Sequence, residues 1–428
     1  MRQTLFYIPR EIAGWPLFGF GILLTIWAVL SAVMLIWLVR RQGFNADTRS
    51  YLPLLAVIGA VIAFLLPVLS ESDGIPIRGY GVMLLVGVVS GVSLGYQRAV
   101  RRGIDPELYL SLAFWMFAAG IAGARAFYVI EYWRQFIRPS VEDPSLKESL
   151  LAIINVTQGG LVVYGSLIGA GAAGIVFVRK HGLPTLKLAD VVTPPMVLGL
   201  AIGRLGCFLN GCCFGGICDL PWAVTFPYGS PPFKQQAERG LIAPHGIHFA
   251  GTDGDPPIVG KVEPGSQAET NGLIRGERIL AVGDERVSTV SEAQFALLKR
   301  YGEGTELSVL VAGSRVPKRW TISGPPPRSS PVHPAQLYAS LDAFLLLLLL
   351  LAYEPFSRRA GELLAVTLTL HPISRFLLEI IRVDEAFVFG TKMSISQNIS
   401  LLILVGAAAL WWHILRQPRS PLNSVGGA

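Results

Sequence analysis

"VVTPPMVLGLAIGRLGCFLNGCCFGG", Val191–Gly216, is an apolar run long enough to enter a bilayer. It closes on a permanent charge, Arg204, and on Cys207, Cys212 and Cys213, with the last of the chain's 4 cysteines, Cys218, just beyond. A guanidinium within a span costs at least about 2.5 kcal/mol to insert, so it must be paired or line a hydrated cavity. The rest of the chain favours the membrane reading. Of its 428 residues, 52% are hydrophobic and 15% charged, and the mean hydropathy is +0.51. Soluble domains carry about 25% charged residues.

Segments of roughly 20 apolar residues are what a bilayer crossing requires. We count nine spans, near 17–39, 51–69, 79–97, 108–130, 160–178, 188–212, 335–353, 361–381 and 395–415. The first lacks a small-residue cleavage site and is expected to be retained. Alternate loops are basic: Arg40, Arg41 and Arg49; Arg98, Arg101 and Arg102; Arg179, Lys180 and Lys187; Arg358 and Arg359; then Arg416 and Arg419. The positive-inside rule puts the N-terminus outside and the C-terminus in the cytoplasm. The net charge of +7 thus reports topology, and no nucleic-acid partner is implied.

Four regions are expected. Residues 1–75 form an extra N-terminal pair of spans, a degenerate copy of 76–130. "PLFGFGILL" from Pro16 aligns with "PIRGYGVML" from Pro76, and "RQGFNAD" from Arg41 with "RRGIDPE" from Arg101. Arg78, Tyr80 and Arg125 face Phe18, Phe20 and Leu65, so only the second copy bears polar groups at these positions. Residues 76–228 and 329–428 carry the remaining spans. Between them, 229–328 turns polar and rich in Gly and Pro, with alternating strands such as "ELSVLVAG" at Glu306–Gly313. "IVGKVEPGSQAETNGLIRGERILAVGDERV" (Ile258–Val287), with a helix near Val290–Tyr301, resembles a PDZ domain on the extracytoplasmic side. Such domains add an extended peptide to a sheet edge. The expected fold is therefore an α-helical polytopic membrane protein with an inserted PDZ-like α+β domain.

Further polar residues lie where the chain is otherwise apolar. Arg125 sits mid-span, and "SRFLLEIIR" sets Arg375, Glu379 and Arg382 on one helical face. Arginines gathered in a membrane cavity suit a phosphate, which guanidinium grips in bidentate fashion. Gly159 and Gly160 leave room for a headgroup, whereas Gly165, Gly169 and Gly174 read as helix packing. His333, Gln336 and Tyr338 offer hydrogen-bonding groups at the outer edge of the membrane. The C-x4-C-C-x4-C spacing departs from the usual zinc pairs, so no metal is assigned. Structural thiols, with one disulfide as an alternative, are the expectation. None of the 6 histidines sits in H-E-x-x-H, which excludes that class of intramembrane protease.

In order along the chain, "RGYG" (Arg78–Gly81), "AGARAFYV" (Ala122–Val129), "GGLVVYGSLIG" (Gly159–Gly169), "GRLGCFLNG" (Gly203–Gly211), "HPAQLY" (His333–Tyr338) and "SRFLLEIIR" (Ser374–Arg382) resemble the prolipoprotein diacylglyceryl transferase family. The resemblance implies a multi-pass enzyme of the bacterial inner membrane, needing no cofactor. It implies transfer of diacylglyceryl from phosphatidylglycerol to the lipobox cysteine of a prolipoprotein signal peptide. It assigns Arg204, Arg375, Glu379, Tyr164 and Tyr80 to catalysis, with Arg204, Asn210, Gly160, Gly215, Arg382, His333, Gln336, Tyr338, Arg78 and Arg125 binding substrate. The family carries His where Tyr164 stands, Asn where Cys207 stands and an acid where Cys212 stands. These departures keep open a second reading: a paralogue that binds phospholipid or modifies another acceptor, its PDZ-like domain recruiting a partner protein or peptide.

Overall fold

The computed structural model describes residues 3–70, 74–133, 153, 160, 162–252, 254–300, 306–322, 328–383, 387–388, 390 and 393–418. The first helices are α1 (Ile22–Gln42) and α2 (Ala46–Ala60), the latter prolonged by a π-helical stretch, Val61–Leu65, and by Leu66–Leu69. They are followed by α3 (Gly79–Arg101), α4 (Pro106–Glu131), α5 (Val163–Lys180) and α6 (Thr185–Asn210). The polar segment holds α7 (Pro231–Glu238), α8 (Gln267–Thr270) and α9 (Val290–Leu298). The chain ends with α10 (Ala335–Tyr353), α11 (Glu362–Ile380) and α12 (Ile395–Leu415).

Among the described residues, 8 helices are long and apolar enough to cross a membrane. The chain is a multi-pass membrane protein. The ninth expected span is α5, whose 18 residues are diluted by four glycines and end in Arg179 and Lys180. Large apolar side chains on α1, Ile26, Val29, Leu30 and Val33 among them, are exposed as a lipid-facing surface requires. Basic residues close α1, α3 and α5, where the negative end of the helix dipole favours cations. Asp105 opens α4 by accepting from the Glu107 amide, with Pro106 at the first helical position.

The chain groups into two compact units, 1–83 with 205–334, and 84–204 with 335–428. In the second, Val197 and Ala201 of α6 pack with Ala343, Leu346, Leu347 and Leu350 of α10 and Leu363 of α11. Close helix crossings rest on glycine. A Cβ on Gly123 of α4 would meet the Gly165 oxygen at 2.4 Å, and one on Gly91 of α3 would meet the Pro195 oxygen of α6 at 3.1 Å. Asp190, almost fully buried, accepts from the amides of Gly361 at 2.7 Å, Leu363 at 3.0 Å and Leu364 at 3.2 Å. That carboxylate caps α11.

In the first unit, strand β1 (Thr4–Ile8) pairs antiparallel with β2 (Ile75–Arg78), Thr4 opposite Arg78. The polar segment builds strands β3 (Ile247–Ala250), β4 (Ile258–Val262), β5 (Ile279–Val282), β6 (Glu285–Arg286), β7 (Glu306–Val311) and β8 (Lys318–Thr321). β3 pairs with β4, and the rest form a four-stranded sheet in the order β8-β7-β5-β6. Its core includes Val259, Leu273, Ile279, Leu297, Leu307, Val309 and Trp320. Thr289 and Glu292 form a reciprocal capping box at the start of α9.

Candidate active site

In the second unit the charged face of α11 is a built cluster. Arg375 Nη1 lies 2.6 Å from Glu379 Oε2, and Arg382 Nη1 lies 3.4 Å from the same oxygen. The Glu379 side chain is 2% exposed, so this carboxylate works in a low-dielectric setting. Arg375 Nη2 donates to Ser396 Oγ on α12 at 2.8 Å. One turn before Arg375, His371 lies in the field of Asp342, Arg204 and Arg375. Its Nδ1 is buried without a hydrogen-bond partner among the described residues. Asp342 of α10 accepts from Ser374 Oγ at 2.7 Å. Ser340 Oγ donates to the Ala201 carbonyl at 2.8 Å, fixing α10 against the turn of α6 that precedes Arg204.

The structure therefore brings Arg375, Glu379 and Arg382 together and adds His371, which the motif reading passed over and on which the charges of Arg204 and Arg375 both act. A spacing signal was present: His371, Arg375 and Glu379 recur every four residues. Gln336 is fully buried near the start of α10, and Tyr338 follows on that helix half-buried.

Arg125 is held elsewhere in that unit. Its Nε donates to the Ile153 carbonyl at 2.8 Å and its Nη1 to the Gly160 carbonyl at 3.1 Å. The guanidinium sits 5.2 Å from the Tyr128 ring centroid. Gly160 has φ 75, and a Cβ there would meet Tyr128 Cε1 at 2.5 Å and Arg125 Nη1 at 2.7 Å. The room left by Gly160 is taken up by the protein's own side chains. Gly159 and the side chain of Tyr164 lie outside the described residues.

Within the first unit, Tyr80 packs on Gly206, where a Cβ would meet Tyr80 Cδ2 at 3.2 Å. Gln3 Nε2 donates to the Asn210 carbonyl at 3.0 Å. The Gly215 amide donates to the His333 carbonyl, and the His333 amide to that of Gly216, each at 3.0 Å. All 4 cysteines are free thiols, so the disulfide alternative is set aside. The sulfurs of Cys207, Cys212 and Cys213 lie within 4.8 Å of one another, which their sequence spacing did not suggest.

These features define a polytopic membrane protein with a buried cluster of arginines organised by one carboxylate. The chain belongs to the prolipoprotein diacylglyceryl transferase family, whose model matches residues 67–413. It is 34% identical over 446 aligned positions to the phosphatidylglycerol–prolipoprotein diacylglyceryl transferase of Rhodopirellula baltica, covering 95% of this chain and 88% of that protein. The enzymes of the same name from Synechocystis sp. and Geobacillus kaustophilus are 36% and 41% identical, over 39% and 33% of this chain. Those two matches span about half of each relative's length, 56% and 49%.

Proposed function

We propose that this protein transfers the diacylglyceryl group of phosphatidylglycerol to the lipobox cysteine thiol of prolipoproteins. The carbon–sulfur bond forms as the carbon–oxygen bond to phosphate breaks. The electron pair leaves on glycerol phosphate, and the thiol proton passes to a base. The pair of Arg375 and Arg382 about Glu379, with Arg204 and Arg375 both acting on His371, carries this reading, because charge grows on the departing phosphate and fixed guanidinium groups in a dry site are suited to meet it. Arg204 and Arg375 are assigned to the phosphate, with Glu379 orienting Arg375 and Arg382. By resemblance alone, Tyr80, Asn210 and Gly215 are assigned to the headgroup.

Thiolate is the attacking form, and a free thiol ionises near pH 8.5, so a modest base suffices. Tyrosine, ionising near 10, serves poorly. His371, in the field of two of these arginines, is the imidazole available at the cluster. The reaction belongs to the outer leaflet of the bacterial inner membrane, with the polar segment outside the cytoplasm, as the basic loops favour. There the polar segment acts as a PDZ-like module. A groove of about 440 Å³ beside β3 and α9, lined by His248, Phe249, Val290 and Gln294, supports capture of an extended peptide.

Membranes containing the full-length Arg204→Ala variant should transfer labelled diacylglyceryl to a prolipoprotein at least ~10²-fold more slowly, the scale for removing one transition-state donor. Unchanged transfer would overturn the assignment. Rescue of a transferase-depleted strain by the unaltered chain separates this reading from the paralogue that Tyr164 suggests; failure of rescue favours the paralogue.

A further inference from the structure

The last turn of α6 and the loop after it draw three sulfurs together. Gly211 takes φ 82 and the chain reverses, with its amide donating to the Cys207 carbonyl at 2.9 Å. Cys213 then adopts φ 60, a left-handed conformation that L side chains avoid. Strain of this kind persists only where the surroundings enforce it. Here they do. Phe214 is buried against Phe226 and Val332, the Gly215 amide is tied to the His333 carbonyl, and the Cys218 amide to that of Pro331 at 3.1 Å. The anchored loop brings the Cys213 sulfur to those of Cys207 and Cys212, all three mutually within 4.8 Å and half-buried.

We propose that Cys207, Cys212 and Cys213 form a trithiolate site for a soft closed-shell cation, Zn(II) or Cu(I). Sulfurs around a tetrahedral zinc stand about 3.8 Å apart for bonds of about 2.3 Å, so the cluster closes on an ion by small side-chain rotations. Three sulfur donors exclude Mg(II) and Ca(II), which take oxygen, and select the thiophilic ions. Binding zinc replaces three S–H bonds by three Zn–S bonds and releases three protons, with no change of oxidation state. A fourth position stays open to water. The ion fastens the end of α6 to the loop of Gly211–Gly216, stiffening the stretch that bears Asn210 and Gly215. The site stands independently of the transfer reaction.

The test uses the full-length protein in detergent, reduced and freed of metal with a chelator. Zinc is titrated against a chromophoric competitor, and Cu(I) in parallel against bathocuproine disulfonate. One ion bound per chain is expected, with about three protons released per zinc and an X-ray absorption shell of about three sulfurs near 2.3 Å. Cys207→Ser, Cys212→Ser and Cys213→Ser should each weaken binding at least ~10-fold, and Cys218→Ser should not. The arm that binds more tightly identifies the cation. Binding that survives all three substitutions, a shell of nitrogen and oxygen alone, or a disulfide within the trio found by alkylation and mass mapping would each overturn the site. Absorption on the unaltered protein keeps the test decisive where a serine variant misfolds.

Discussion

The Glu379 carboxylate spends one oxygen on two guanidinium groups, at 2.6 Å from Arg375 and 3.4 Å from Arg382, in nearly complete enclosure. Replacing it by the isosteric amide, Glu379→Gln, leaves an acceptor in place and removes the charge that balances the pair. The cluster then attracts the lipid phosphate at least as strongly as before, being one charge more positive, while its arginines lose their fixed orientation. We therefore expect kcat to fall roughly 100-fold, with KM for phosphatidylglycerol unchanged or lower, the pattern of an interaction realised in the transition state. Partial unfolding would also lower apparent kcat at constant KM, so a thermal-shift comparison and an active-site count must show the variant folded, and a rise in KM instead would speak for lost ground-state binding. His371 invites a separate experiment. If its imidazole accepts the thiol proton, His371→Asn loses the rising limb of the pH–rate profile while still retaining labelled phosphatidylglycerol. A variant with the parental profile would return proton transfer to another group. Arg375, Glu379 and Arg382 were legible because intramembrane charges stand out against an apolar helix. His371 hid because a histidine before Pro372 reads as the start of a break, yet α11 continues through that proline.

Helices were legible to within a few residues. The expected spans 335–353 and 395–415 coincide with α10 and α12. The first helix begins at Ile22 instead of residue 17 because Gly19 takes φ 72 and its amide donates to the Ile62 carbonyl, a turn that hydropathy does not register. What no hydropathy trace encodes is how the helices are fastened. Asp190 caps α11 while Arg98 binds the backbone oxygens of Asp190 at 2.9 Å and Val191 at 3.2 Å and, with Arg102, pairs with Glu354. Asp190→Ala strips three amides of their acceptor in a buried setting, a loss of about 2–4 kcal/mol. The measured consequence should be a clear drop in the detergent melting temperature, whereas Asp190→Asn retains part of it; equal melting for all three proteins refutes the cap. Gly165→Val tests the α4–α5 crossing, since a Cβ there meets the Gly123 oxygen at 2.3 Å and Phe127 Cβ at 2.5 Å. Backbone contact of this kind cannot yield, so the variant should melt lower and accumulate poorly in membranes.

Over the whole molecule, composition marked the polar insert because its residues leave the hydropathy of the flanking spans. It could not reveal that Cys207 and Cys213 meet, because that depends on two left-handed residues and a loop pinned by the distant segment around His333. The insert also carries a pH response of its own. His245 is 6% exposed, takes φ 57, and places Nε2 3.2 Å from the Leu297 carbonyl. Burial holds its imidazole down to a pKa of about 4, against the pull of backbone oxygens at Leu297 and Arg300. An unfolded chain takes up this proton near pH 6.5, so between about 6.5 and 4 the unfolded state binds more protons than the folded one. Stability from this residue is complete above pH 6.5 and drains away as pH falls toward 4, by up to about 3 kcal/mol. Pulse proteolysis of the full-length protein in urea, scored on cleavage within residues 258–322, should show the midpoint falling across that window. Asparagine tolerates the left-handed backbone, so His245→Asn should flatten this share of the slope and leave the carboxylates to set the rest. Parallel curves for the two proteins would assign the acid sensitivity of the insert to other groups.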